Sequence, residues 1–159
     1  MTTKFFYGNN NQDSLKGDYG DNFLYGRDDD DFLDGNSGDD YLYGGYHNDY
    51  LQGDFGDDHL YGGSGQDTLT GGKGADKFVF TNLDAVDLIT DFNLPEGDKI
   101  VFDSLATGIT EPRQLTVNLS PDFNNSSEIG MITSLYVDNQ KIMTFDGAVP
   151  LRSEHFEFI

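Results

Sequence analysis

The sequence predicts an all-β protein: a two-sheet β-solenoid over residues 8–79 followed by a β-rich cap over residues 80–159. Three observations predict it. A nine-residue period runs from Gly8 to Val79 without insertion, giving eight units. Glycine opens every unit, at Gly8, Gly17, Gly26, Gly35, Gly44, Gly53, Gly62 and Gly71. Leucine fills the eighth place at Leu15, Leu24, Leu33, Leu42, Leu51, Leu60 and Leu69, and Phe78 fills it in the last unit. A fixed period held this long marks a repeat architecture.

Before the array, residues 1–7 read either as a short capping strand (Phe5, Phe6, Tyr7) or as a remnant unrelated to it. A solenoid needs its open ends covered, and seven residues cover little.

Within each unit the first six places carry turn chemistry and the last three carry strand chemistry. Glycine at the first place, and often at the second and fourth, supplies the positive backbone angles of a tight turn. Where the fourth place lacks glycine it holds Asn11, Asp29 or His47, side chains that tolerate the left-handed region best. A three-residue strand points its central leucine one way and its neighbours the other. Two units then make one coil of 18 residues, with Leu15, Leu33, Leu51 and Leu69 facing Leu24, Leu42, Leu60 and Phe78 across a thin core.

The sixth place is acidic or its amide throughout: Asp13, Asn22, Asp31, Asp40, Asp49, Asp58, Asp67 and Asp76. Coil stacking puts Asp13, Asp31, Asp49 and Asp67 along one rim, and Asn22, Asp40, Asp58 and Asp76 along the other. Strands stack about 4.8 Å apart, and bare carboxylates at that spacing repel one another more strongly as they leave water. A hard divalent cation between successive turns reverses the sign. Carboxylate and carbonyl oxygens on a flexible loop suit calcium better than magnesium or zinc.

The array resembles the RTX, or hemolysin-type, calcium-binding repeats, whose GGxGxDxUx pattern binds calcium in a parallel β-helix. The resemblance implies a right-handed, two-sheet parallel β-roll with ions between consecutive turns of one rim. It implies side-chain ligation by the eight sixth-place residues. It also implies main-chain carbonyl ligation from the second and fourth places: Asn9, Asn11, Asp18, Gly20, Arg27, Asp29, Asn36, Gly38, Gly45, His47, Asp54, Gly56, Gly63, Gly65, Gly72 and Gly74. Six interior calcium sites follow, with the Asn22–Asp40 step weaker because Asn22 carries no charge.

From Phe80 the period stops. Apolar runs at Val86–Phe92, Lys99–Phe102, Gln114–Leu119, Met131–Val137, Lys141–Phe145 and His155–Ile159 read as strands. Pro95, Gly97, Gly108, Pro112, Pro121 and Asp138–Asn139 punctuate them as turns, with a short helical turn near Asp103–Thr107. Together they read as a β-sandwich-like cap. The junction after the last repeat resembles the segment that follows the roll in RTX proteases and lipases. That likeness implies one or two further calcium sites at Asp91 and Asp98, with Asp87 a weaker candidate. The end, Glu154–Ile159, resembles the uncleaved C-terminal signal of type I export.

Composition narrows the function. Acidic residues number 29 against 9 basic, a net charge of -20, which repels nucleic acid and anionic membranes. Cysteine is absent, so neither disulfides nor thiolate metal sites form. No apolar stretch follows Met1, so no Sec-type leader and no membrane insertion are expected. His47, His59 and His155 lack zinc-ligand spacing, and neither a G-x-S-x-G elbow nor a Walker loop occurs. The expected function is therefore calcium binding by a non-catalytic folding and secretion module of an extracellular protein. Its partners would be calcium, the type I export machinery and a parent catalytic domain. The alternative is a polysaccharide- or surface-binding module using Phe23, Tyr25, Tyr41, Tyr43 and Tyr61, which point outward on one face.

Overall fold

The computed structural model describes residues 3–122, 130–146 and 149–159; Met1 and Thr2 of the 1–7 segment lie outside the described residues. β1 (Lys4–Tyr7) precedes the array, and each repeat then contributes one strand. These are β2 (Ser14–Lys16), β3 (Asn22–Arg27), β4 (Phe32–Asp34), β5 (Tyr41–Tyr46), β6 (Tyr50–Phe55), β7 (His59–Ser64), β8 (Thr68–Lys73) and β9 (Lys77–Phe80). Successive strands alternate between two sheets, and every pairing inside the array is parallel. The molecule is thus a parallel β-solenoid, with β1 added parallel to β3 as a first rung.

The register carries the leucines into two facing columns. One sheet aligns Phe6, Leu24, Leu42, Leu60, Phe78, Ile100 and Phe156; the other aligns Leu15, Leu33, Leu51, Leu69, Ile89 and Phe145. Leu24 to Leu69 and Phe78 are fully buried, whereas Leu15 and Phe6, at the open end, are only partly so. Burying a leucine side chain is worth roughly 1.5–3 kcal/mol, so these columns supply the main apolar term of a thin core.

Five array strands reach six residues where the sequence predicts three. The coils stack so closely that pairing continues past the leucine, across the first glycine and into the turn, as in Gly45↔Gly63 and Asp54↔Gly72. The same closeness explains the invariant glycine: a Cβ on Gly8 would lie 2.5 Å from the Gly26 carbonyl oxygen, and one on Gly53 2.5 Å from that of Gly71.

The C-terminal half continues both sheets. β10 (Asp87–Ile89) joins β8 in parallel, and β11 (Lys99–Phe102) joins β9. A helical turn, α1 (Ser104–Thr107), follows; the Asp103 carboxylate accepts from the Leu105 and Ala106 amides, and Gly108 closes it at φ 75. β12 (Leu115–Asp122), β13 (Gly130–Val137) and β14 (Gln140–Phe145) form an antiparallel meander, and β14 pairs with β10. β15 (Phe156–Phe158) adds to β11. The Asp138–Asn139 turn has φ of 50 and 64, as a tight primed hairpin requires. Pro121 corrects the expectation of a turn: it lies within β12, which is the edge strand of its sheet, where a missing N–H is tolerated.

Candidate metal centre

Turn geometry comes first, because it aims the carbonyls. Among the second and fourth places, Arg27, Asp29, Asn36, His47 and Asp54 all adopt φ between 74 and 95, beside Gly20, Gly38, Gly45, Gly56, Gly63, Gly65, Gly72 and Gly74 at 105 to 135. Asp, Asn and His tolerate this region best. Arg27 is the exception by type, and its guanidinium lies 5.7 Å from the Tyr7 ring centre. In the first coil, Asn9, Asn11 and Asp18 do not share the positive angle.

The sixth-place side chains form two buried ladders. The Asp13 amide donates to Asp31 Oδ1 at 2.7 Å, Asp31 to Asp49 at 2.8 Å, and Asp49 to Asp67 at 2.9 Å. On the other rim Asn22 donates to Asp40 at 2.6 Å, Asp40 to Asp58 at 2.8 Å, and Asp58 to Asp76 at 2.9 Å. One oxygen of each carboxylate is thereby used. The other has no partner: Oδ2 of Asp31, Asp40, Asp49, Asp58, Asp67 and Asp76 is buried and unbonded. It faces the first glycine of its own repeat, where a Cβ on Gly35 would meet Asp40 Oδ2 at 2.6 Å.

An anionic oxygen held this way is costly, and the titration behaviour records the cost. Burial, with a neighbouring carboxylate adding to it, pushes Asp49 and Asp58 up to about 8, against a partial offset from the amide each accepts. The same first cause raises Asp76 to about 7 and Asp40 and Asp67 to about 6. Among the described residues no three carboxylate or imidazole side chains converge, so side chains supply oxygens in pairs. A hard cation would complete its shell from the main-chain carbonyls of the turn. Six orphaned oxygens beside glycine-lined turns fit that demand.

The ladders continue past the repeats. The Asp67 amide donates to Asp87 Oδ1 at 2.9 Å and the Asp76 amide to Asp98 Oδ1 at 3.0 Å. Burial raises Asp87 to about 7 and Asp98 to about 6. Asp87, the weaker candidate from sequence, thus stands in line with Asp98. Asp91 stands elsewhere: its two oxygens accept from the Gly71 and Gly72 amides at 2.9 and 2.8 Å, anchoring the last turn.

Sequence reasoning missed a further ladder at the fifth place. The Asp39 amide donates to Asp21 Oδ1, Asp57 to Asp39 and Ala75 to Asp57; on the other rim Asn48 donates to Asp30 and Gln66 to Asn48. The signal was present. Gln12, Asp21, Asp30, Asp39, Asn48, Asp57 and Gln66 give an acceptor in seven of eight units.

The outward aromatics stack along the coil axis. Phe5, Phe23 and Tyr41 form one column at 5.0 and 4.7 Å, and Tyr7, Tyr25, Tyr43 and Tyr61 another at 5.2, 4.7 and 4.5 Å. Interplanar angles are at most 18°, so inner rings cover each other's faces and present edges to solvent. Such pairs are worth about 0.5–1.5 kcal/mol each beyond their burial.

Residues 7–42 and 43–78 match the family model for the RTX calcium-binding nonapeptide repeat. No curated protein matches the chain. Among solved structures, the AlgE6R3 subunit of the Azotobacter vinelandii mannuronan C5-epimerase is 22% identical at a TM-score of 0.52, covering 94% of this chain and 79% of that one. The extracellular lipase LipA from Serratia marcescens is 16% identical at a TM-score of 0.39, covering 100% of this chain and 40% of that one.

Proposed function

Residues 7–78 belong to the RTX calcium-binding nonapeptide repeats, and from that premise we propose that this chain is a calcium-dependent folding module of an exported protein. The observation that carries the reading is the row of buried, unpartnered Oδ2 atoms. Side-chain ligands are the sixth-place aspartates Asp13, Asp31, Asp40, Asp49, Asp58, Asp67 and Asp76, continued by Asp87 and Asp98; Asn22 is the one sixth-place residue without a charge. Carbonyls from the second and fourth places complete each shell. Residues 8–79 then form the responsive roll, and residues 80–159 the cap that closes it.

The mechanism is linkage. A cation that binds only the folded roll stabilises it by RT ln(1 + [L]/Kd), about 1.4 kcal/mol per independent site at ten times Kd. Extracellular calcium modules bind at about 10⁻⁴–10⁻³ M. In calcium-poor cytosol such a chain stays open and able to thread an exporter; outside the cell it closes. The terminal segment fits this order. Ile159 donates to the Phe102 carbonyl and accepts from the Ser104 amide, so a signal at Glu154–Ile159 is legible to an exporter only before folding.

The polysaccharide reading is weaker, because ring faces engaged with each other do not stack on sugars. Far-UV circular dichroism during a calcium titration, with magnesium as control, tests the main reading. A cooperative coil-to-β transition at submillimolar to millimolar calcium, absent with magnesium, is the expected result. A chain fully folded in chelator would sink it.

A further inference from the structure

Resting on the calcium reading above, we infer that the Asn22 step takes no cation, because the Asn22 amide group occupies the cation's place. Asn22 is fully buried in the second turn. Its Nδ2 donates to the Gly20 carbonyl, lies 3.3 Å from the Asp18 carbonyl oxygen and 3.1 Å from Asp40 Oδ1. Those acceptors are the fourth-place carbonyl, the second-place carbonyl and the next carboxylate on the rim. They are the oxygens that a cation would draw together in the other turns.

The equivalence of the atoms is geometric. A Cβ on Gly17 would meet Asn22 Nδ2 at 3.1 Å, just as one on Gly35 would meet Asp40 Oδ2 and one on Gly8 Asp13 Oδ2 at 2.7 Å. Asp13 Oδ2 in the first repeat accepts from Asn9; in repeats three to eight that atom is an unbonded acceptor facing acceptors. In the second repeat it is a donor facing them. Charge agrees: the Asn22–Asp40 step holds one carboxylate where its neighbours hold two. An amide –NH₂ brings two hydrogens to oxygens that otherwise need a metal, and it requires no desolvated ion.

The roll therefore has a metal-free clasp at its second turn. Calcium-responsive steps are those opened by Asp13, Asp31, Asp40, Asp49, Asp58, Asp67 and Asp76. Asn22→Asp converts the clasp into a site by exchanging its donor for an oxygen.

Isothermal titration with calcium chloride on the full chain, wild type against Asn22→Asp and Asn22→Ala, decides the matter. The expected result is one additional calcium per chain in Asn22→Asp, and a wild-type count in Asn22→Ala. An unchanged count in Asn22→Asp, or one calcium fewer in Asn22→Ala, would show that Asn22 already serves as a ligand and would overturn the inference. Wild type and Asn22→Asp both binding no calcium would overturn the reading on which it rests.

Discussion

Each buried aspartate of the rims is asked to do two incompatible things. One oxygen accepts an amide from the coil before it, which favours the charged form; the other sits dry and unbonded, which favours the neutral form. Burial wins, and Asp49 and Asp58 rise to about 8. Because these groups titrate near 3.9 in an open chain, the folded chain without metal binds more protons than the open one between those values. Its stability is present at acid pH and is lost as pH rises through about 8. Saturating calcium flattens the trend, since a proton and a cation compete for the same oxygen. In chelator, the β-signal by far-UV circular dichroism is expected to be stronger near pH 5 than near pH 8, while the calcium affinity of the folded roll falls toward acid pH. Equal β-signals at both pH values in chelator would mean that the buried carboxylates are not what holds the roll open.

Strands and turns in this chain differ in how openly the sequence declares them. The leucine columns and the turn positions could be read directly, because an 18-residue coil maps each onto itself. The joint to the cap could not. Asp87 follows Asp67 by 20 residues and Asp98 follows Asp76 by 22, so period counting passes over both, and only the backbone path restores the ladder. Asp91, which the resemblance also offers as a ligand, differs from them: both of its oxygens accept turn amides, from Gly71 and Gly72. These roles separate by mutation. Asp87→Asn keeps the acceptor for the Asp67 amide but removes the charge, and is expected to lower the calcium count by one with the fold retained at saturating calcium. Asp91→Asn is expected to leave the count unchanged and lower the thermal midpoint. Equal counts in wild type and Asp87→Asn would confine the sites to the repeats.

At the scale of the whole molecule, the strands of the array keep chain order in both sheets, and each pairs only with the strands of the coils beside it. A net charge of -20 is spread along that stack, so repulsion acts on every rung and no single contact restrains the whole. The first strand lies at one end of its sheet and the last strand, β15, at the other. A stretching force on the two ends therefore runs along the stacking axis, across the rungs, and loads the outermost one before the rest. The roll should behave as a ratcheted spring that yields coil by coil. Each 18-residue coil releases about 60 Å of extended chain. Pulled between its ends in saturating calcium, the array is expected to lengthen in steps of about that size, and in chelator to extend smoothly at low force. A single abrupt release of the entire array would mean that its rungs fail together, and that the molecule transmits tension as one block.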